Sequence, residues 1–323
     1  MRVKLWGVRG SLPAPITPDV LRWRMEEVLT QYQRLRDANV VVSARAFLET
    51  LPAHLVRGFG GNTSCAEVTM GKSRLLIDGG SGIRAFSEHI MQVEPTTSEF
   101  HIYQTHFHWD HLIGLPFFTP IYMKGKTIHF YSVDDELERS LRTLFRKPNF
   151  PVPYEIISQQ IKLHKIEPRK PFQINDLTLT PYQLDHPDPC WGVRVEAGGK
   201  SLAWAVDTEC TRIHREALGE DVRLYQNADL MVFDAQYTFE EAIEKSNWGH
   251  ASGPIGLDLC MREGVKHAVF VHHDPAASDE VIRQAEEQTQ VYYNELVRQN
   301  QRIGRPPVEL RWHFGREGEV FEL

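Results

Sequence analysis

The chain has 323 residues, with 43 acidic and 36 basic side chains and a formal charge of −7. Its 41% hydrophobic and 24% charged content excludes a disordered or fibrous chain. The acidic excess argues against a protein that coats long nucleic acid.

The N-terminus, Met1 to Ser11, has no apolar run of signal-peptide length, and no stretch of ~18 apolar residues follows anywhere. A soluble cytoplasmic protein with no membrane partner is the expectation. Residues 17–54 read as a helical element rich in Arg and Glu. It separates GVRGS from GFGGNTSC, two glycine-bearing strand-and-turn pieces, and so looks inserted. A solvent-exposed helical hairpin is one reading; a cap or an oligomerisation element, compatible with a homodimer, is the other. Its arginines (Arg22, Arg24, Arg34, Arg36, Arg45) suit a solvated face better than an anion site.

Short apolar runs then end repeatedly in an ionisable residue. Leu75–Ile77 ends at Asp78, and Phe100–Tyr103 leads into Thr105-His106. Leu202–Val206 ends at Asp207, Leu230–Phe233 at Asp234, and Ala268–Val271 at His272. Their length and β-branched content predict buried strands that present a functional group at one sheet edge. Helices are predicted over 83–91, 136–146, 254–262 and 279–298, with a rigid proline loop from Lys147 to Pro153. Sheets covered by helices, an α/β or α+β architecture, follow from this alternation.

Four cysteines, Cys65, Cys190, Cys210 and Cys260, lack paired C-x-x-C spacing, so they predict neither a disulfide framework nor a cysteine zinc knuckle. The chemistry concentrates instead in Thr105-His106-Phe107-His108-Trp109-Asp110-His111. In an extended segment His106 and His108 point the same way and can share one ion. Asp110 and His111 follow in a turn and can reach a second. The remaining ligands must come from later strand ends, where His186, Asp207, His272 and His273 stand. Adjacent residues of a strand face opposite sides, so only one of His272 and His273 can be a ligand.

THFHWDH resembles the H-x-H-x-D-H signature of the metallo-β-lactamase fold superfamily. GGNTSCAEV, LIDGGSGIR, DHPDPCWGVRVE, AVDTE, WGHAS and VFVHHDP are similar, in order, to the branch holding ribonuclease Z and the phosphoribosyl cyclic phosphate phosphodiesterase. The resemblance implies an α+β, four-layered αββα sandwich over residues 1–323, a single hydrolase domain interrupted by the 17–54 insertion. It implies two divalent metal ions, Zn²⁺ first, with Mn²⁺ or Fe as alternatives. His106, His108 and His186 would hold one ion. Asp110, His111 and His272 would hold the other, and Asp207 would bridge them. Asp78 would orient a metal-binding histidine through its far ring nitrogen. Asp110 and His250 would be catalytic, His250 as general acid or phosphate contact.

Departures from the branch narrow the substrate. Ribonuclease Z carries a glutamate where this chain has Phe233-Asp234-Ala235-Gln236, and a long basic arm where about 20 residues separate His186 from Asp207 here. A small or cyclic phosphodiester, hydrolysed by hydroxide bridging the metals, is therefore expected in place of transfer RNA. Asn62, Trp109 and Trp191 are candidate substrate contacts, and Arg9 could contact phosphate or brace a turn. The alternatives are hydrolysis of a thioester, lactone or lactam, and a non-catalytic ligand-binding sensor of the same fold.

Overall fold

The computed structural model describes residues 1–304 and 310–323. In chain order its strands are β1 (Arg2–Gly7), β2 (Cys65–Met70), β3 (Ser73–Ile77), β4 (Glu99–Tyr103), β5 (Thr127–Ser132), β6 (Ile161–Lys165) and β7 (Phe172–Ile174). They continue as β8 (Leu177–Gln183), β9 (Trp191–Ala197), β10 (Lys200–Ala205), β11 (Leu230–Asp234), β12 (His267–Val271), β13 (Arg311–Phe314) and β14 (Val320–Glu322). The first half carries helices α1 (Pro18–Asp37), α2 (Ala44–Thr50), α3 (Ala53–Val56), α4 (Gly82–Val93), α5 (Leu137–Leu144) and α6 (Tyr154–Ile157). The second carries α7 (Arg215–Leu218), α8 (Phe239–Glu244), α9 (Gly253–Glu263) and α10 (Asp279–Arg302).

The strands form two seven-stranded sheets, ordered β14-β1-β2-β3-β4-β5-β6 and β13-β12-β11-β10-β9-β8-β7. Side-chain alternation builds the layers. Leu75 and Ile77 of β3 pack between the sheets with Leu230 and Val232 of β11. Their neighbour Leu76 faces the other way, onto Ile83, Phe86 and Ile90 of α4. Met231 and Phe233 face Leu257 and Cys260 of α9 and Ile282 of α10. Two sheets therefore lie between two helical layers, an α+β αββα sandwich, and each fully buried aliphatic or phenyl group adds roughly 1.5–3 kcal/mol of apolar burial. The last two strands divide between the sheets, β13 beside β12 and β14 beside β1. Neither is visible in the sequence pattern, because both are short and carry exposed or half-buried residues.

Residues 17–54 connect β1 and β2, which are antiparallel partners. Thr17 caps α1 through the Val20 amide, and Asp19 near its start with Arg34 and Arg36 at its end suit the helix dipole. No residue of α1 is fully buried, and Leu21, Met25 and Leu29 are exposed at helical spacing. Arg22, Arg34, Arg36 and Arg45 face solvent, whereas Arg24 pairs with Asp279 at the start of α10. No helix among the described residues is long and apolar enough to cross a membrane.

Helix α5 stops at Leu144, two residues short of the expected end, ahead of the proline loop. Strands β3 to β6 run parallel, as do β10 to β13, so each set brings its carboxyl ends to one edge. Arg9 ties the sheets at that edge, bridging to Thr63 on one side and His273 on the other. Its buried guanidinium donates to the carbonyls of Gly60, Asp274 and Ala277 at 2.8, 3.0 and 2.9 Å, so it serves as a brace.

Candidate metal centre

The loop after β4 splits its donors by a change of backbone conformation. His108 is extended (φ −63°, ψ 152°), and a single 3₁₀ turn follows from Trp109 to His111. The extended part turns His106 and His108 to one side; the turn swings Asp110 and His111 toward the other. The GGNTS and DGGSG loops hold this turn in place. Thr63 Oγ1 donates to the Asp110 carbonyl at 2.6 Å, and Gly79 N to the His111 carbonyl at 2.8 Å. A Cβ on Gly80 would lie 2.3 Å from the Asp110 carbonyl oxygen, so only glycine admits the approach.

Asp78, Asp207 and His272 lie just beyond their strands with φ of 63°, 65° and 66°. A left-handed backbone at a residue with a Cβ costs on the order of 1–2 kcal/mol. Three such positions at one sheet edge mark a place where side-chain direction outweighs backbone comfort.

Three overlapping donor groups result, all containing Asp207. The first comprises His106, His108, His186 and Asp207; the second comprises Asp110, His111, Asp207 and His272; the third joins Asp207 and His272 to Asp234 and His250. In the first, the three rings form a triangle with centroids 4.6, 4.8 and 5.0 Å apart. Asp207 Oδ2 lies 3.2 Å from His106 Nε2, while its Oδ1 lies 3.2 Å from His111 Nε2 and 3.1 Å from His272 Nε2. Asp110 Oδ2 lies 3.3 Å from His111 Nε2 and 3.7 Å from His272 Nε2. Donors ~2.0–2.1 Å from one tetrahedral ion stand roughly 3.3 Å apart, so these spacings match the edges of ion sites. His106 Nε2, His111 Nε2, Asp207 Oδ1 and His272 Nε2 are buried without a hydrogen-bond partner. Buried polar atoms are seldom left so; a cation in each group would satisfy them, one reaching His106 and the other His111 and His272. The residues present fit two divalent ions.

The far ring nitrogens of His106, His108, His111 and His186 are engaged and thereby set which nitrogen ligates, whereas His272 Nδ1 is buried without a partner. Asp78, wholly buried, accepts from His111 Nδ1 at 2.8 Å, and from Thr105 N and Oγ1 and Gln104 Nε2 at 3.0, 2.9 and 3.2 Å. His108 Nε2 lies 2.9 Å from Asp188 Oδ2, leaving Nδ1 for an ion, and His186 Nδ1 lies 3.0 Å from the Asp188 carbonyl, leaving Nε2. His106 Nδ1 faces Thr105 Oγ1 at 3.1 Å and Cys190 Sγ at 3.6 Å. The Ser11 amide donates to Asp110 Oδ2 at 2.8 Å. Gly10 leaves room for it, since a Cβ there would lie 2.7 Å from His272 Nε2.

Burial would raise the Asp207 carboxyl, but His111, His272 and His106 hold it well below the usual carboxylate range. Burial would lower His111, yet Asp207, Asp110 and Asp78 drive it well above the ordinary histidine value. His106 is lowered to about 4 by burial and by His111. His250 Nδ1 stands 2.8 Å from Asp234 Oδ2, and its ring stacks on His272 at 5.0 Å. Burial pulls His250 down, but Asp234, with help from Asp207 and Asp110, lifts it to about 9.

His273 is turned away from both groups: its Nε2 lies 2.9 Å from the Gly315 carbonyl and its ring stacks on Phe314. Asn62 braces its turn through both ends of its amide, to Glu317 at 2.8 Å and Ser81 at 3.0 Å. Trp191 is half-buried, and its backbone links β9 to the Thr105 carbonyl. Trp109 is 77% exposed beside the donors. Sequence reasoning missed the orienting roles of Asp188, Gln104, Thr63 and Asp234. Asp188 sits inside DHPDP, two residues from His186, which was the available signal.

Histidine and aspartate donor groups sharing a carboxylate at the edge of an αββα sandwich mark a metallo-β-lactamase fold. Residues 73–273 match the family model of the beta-lactamase superfamily domain, and the chain belongs to that family. A search of curated protein sequences returned no match. Among solved structures, zinc-bound PqqB from Methylobacterium extorquens is similar at 15% identity and TM-score 0.63, with 100% of each chain covered. A diphosphatase of the PhnP family aligns at 16% identity and TM-score 0.60, covering 100% of this chain and 98% of that one. The short form of human tRNase Z aligns at 15% identity and TM-score 0.59, covering 100% and 99%. At these identities the likeness is one of fold.

Loading with Zn²⁺ is expected to expel the proton held by His111, roughly one per chain near neutral pH. Apparent affinity of the second group therefore rises with pH. Calorimetric titration in buffers of different ionisation enthalpy checks this, and a buffer-independent heat contradicts it. Asp188→Ala is expected to weaken only the His106/His108/His186 site, by about 10- to 100-fold. Equal weakening of both sites in competition with a chelator would contradict it.

Proposed function

We propose that the protein is a dinuclear metal-dependent phosphodiesterase acting on a small or cyclic phosphodiester. The observation that carries this reading is the division of Asp207, one oxygen toward His106 and the other toward His111 and His272. His106, His108 and His186 would hold one ion, Asp110, His111 and His272 the other, and Asp207 would serve both; Zn²⁺ is the first choice, with Mn²⁺ or Fe as alternatives. When bound, such a pair of ions makes hydroxide available near neutral pH and neutralises charge on a phosphoryl oxygen.

The chain's own residues supply the rest. Asp110, fixed by the Ser11 amide and buried, keeps a full negative charge beside His111 and so holds its place as a donor. Asp234, buried against Nδ1, lifts His250 and so favours its protonated form. Asp234 anchors its Nδ1, so the other ring nitrogen carries the proton that a leaving alkoxide needs. Asp78 plays no part in bond making; it locks His111 in the tautomer that ligates through Nε2.

The small-substrate assignment is supported by the segment between His186 and Asp207, which is filled by β9, β10 and the turn at Gly198-Gly199. It leaves no room for a long arm. The similar folds of a diphosphatase and a tRNase Z favour phosphate chemistry, and zinc-bound PqqB favours zinc.

Zinc-loaded protein is expected to hydrolyse both bis(p-nitrophenyl) phosphate and a 2′,3′-cyclic nucleotide. His250→Ala should slow the cyclic nucleotide, whose leaving group is a poor alkoxide, by about 10²- to 10⁴-fold. The loss should be far smaller for p-nitrophenolate, which departs without a proton. Equal losses on both substrates would remove the acid role. Turnover of thioesters or lactams with no phosphodiester cleaved would overturn the reading as a whole.

A further inference from the structure

Beside the donor loop lies a cavity of about 390 Å³, in the size range of small-ligand sites. Phe107, Trp109, Phe117 and Phe150 supply its aromatic walls, and α5 closes one side with Ser140 and Thr143. Trp109 is 77% exposed and Phe117 57% exposed, although their neighbours Asp110, His111, Leu115 and Pro116 are buried. Two large rings held in water on an otherwise buried loop mark a binding surface. The Phe117 ring is also fixed in direction, meeting Phe150 edge-on at 6.2 Å and 83°.

No donor residue lines the cavity; its link to the metal centre is Trp109, which belongs to the donor loop itself. Trp109 stands between His108, a donor of the first group, and Asp110, a donor of the second. A flat group stacked on this indole is therefore carried by the same turn that holds donors of both ions. The walls are not uniformly apolar. Asn149, Ser140 and the Arg139–Glu136 pair, 3.2 Å apart, add hydrogen-bonding groups around the rings. A lipid chain has no use for such groups, whereas a heterocycle with a polar edge does. Arg139 is already paired with Glu136, so the cavity is poorly suited to a second phosphate.

We propose that this cavity is a nucleobase subsite, making the substrate a nucleoside phosphodiester in place of a bare sugar phosphate. The assignment rests on the phosphodiesterase reading and deepens it. The base stacks against Trp109 and Phe117, and its polar edge meets the hydroxyl and amide groups of Ser140 and Asn149. Stacking of this kind tolerates different bases, so modest discrimination among them is expected.

The test separates binding from catalysis. Isothermal titration of zinc-loaded protein should show adenosine 5′-monophosphate binding at least about tenfold more tightly than ribose 5-phosphate. In Trp109→Leu and in Phe117→Ala the two ligands should bind alike. Two independent positions guard against one variant failing to fold, and circular dichroism monitors both. Equal affinity of the two ligands for the unaltered protein overturns the subsite, whether or not diesters are cleaved. A preference for adenosine 5′-monophosphate that survives in both variants also overturns it, since the base then sits elsewhere. If the preference is present and lost as expected while no diester is hydrolysed, the subsite stands and the phosphodiesterase reading alone falls.

Discussion

Asp207 is a carboxylate almost wholly removed from water, with three imidazole nitrogens within 3.2 Å. Burying such a charge costs several kcal/mol unless it is compensated. The compensation cannot come from hydrogen bonds alone, because its Oδ1 and the facing nitrogens of His106, His111 and His272 have no such partner. Divalent cations held by these donors would resolve the imbalance. The same constraint explains why His111 rises well above and His106 falls well below the ordinary histidine value, though both are buried. Charge in this pocket is shared among groups that no single hydrogen-bonding pattern satisfies.

The surrounding structure serves to hold that carboxylate and its partners still. Asp78 gathers the Thr105 backbone and hydroxyl, Gln104 and His111 on its two oxygens, so the loop after β4 cannot rotate without losing several bonds at once. Asp188 does related work from the loop after β8, reaching His108 with its side chain and His186 with its carbonyl. The parallel strands of each sheet aim these loops at one edge, and Arg9 closes the edge by bridging both sheets. Donors from widely separated stretches of chain thus meet within 4.8 Å.

How much of this was legible in the sequence differs from residue to residue. His106, His108, Asp110 and His111 are contiguous, so strand period and a following turn suffice to place them in two groups. Asp207 and His272 were visible as polar residues ending apolar runs, but pairing them with the first loop required the family resemblance. The preference for His272 over His273 likewise came from the resemblance; the structure places His272 at φ 66° beside Asp207 and His273 against Phe314. The hold of Asp188 on His186 had a local signal in DHPDP, but its hold on His108 did not, because that partner is 80 residues away in sequence. The bracing role of Asn62 was not visible in its local pattern, because its partner Glu317 is distant in sequence. Strands β13 and β14 escaped because short edge strands carry little hydrophobic periodicity.

The central claim is that Asp207 is shared between two ions. Anomalous diffraction from crystals of zinc-loaded protein, recorded on both sides of the zinc absorption edge, tests it most directly. Two peaks should flank the Asp207 carboxylate, one among His106, His108 and His186 and one among Asp110, His111 and His272. A single peak, or two peaks neither of which contacts Asp207, would contradict it.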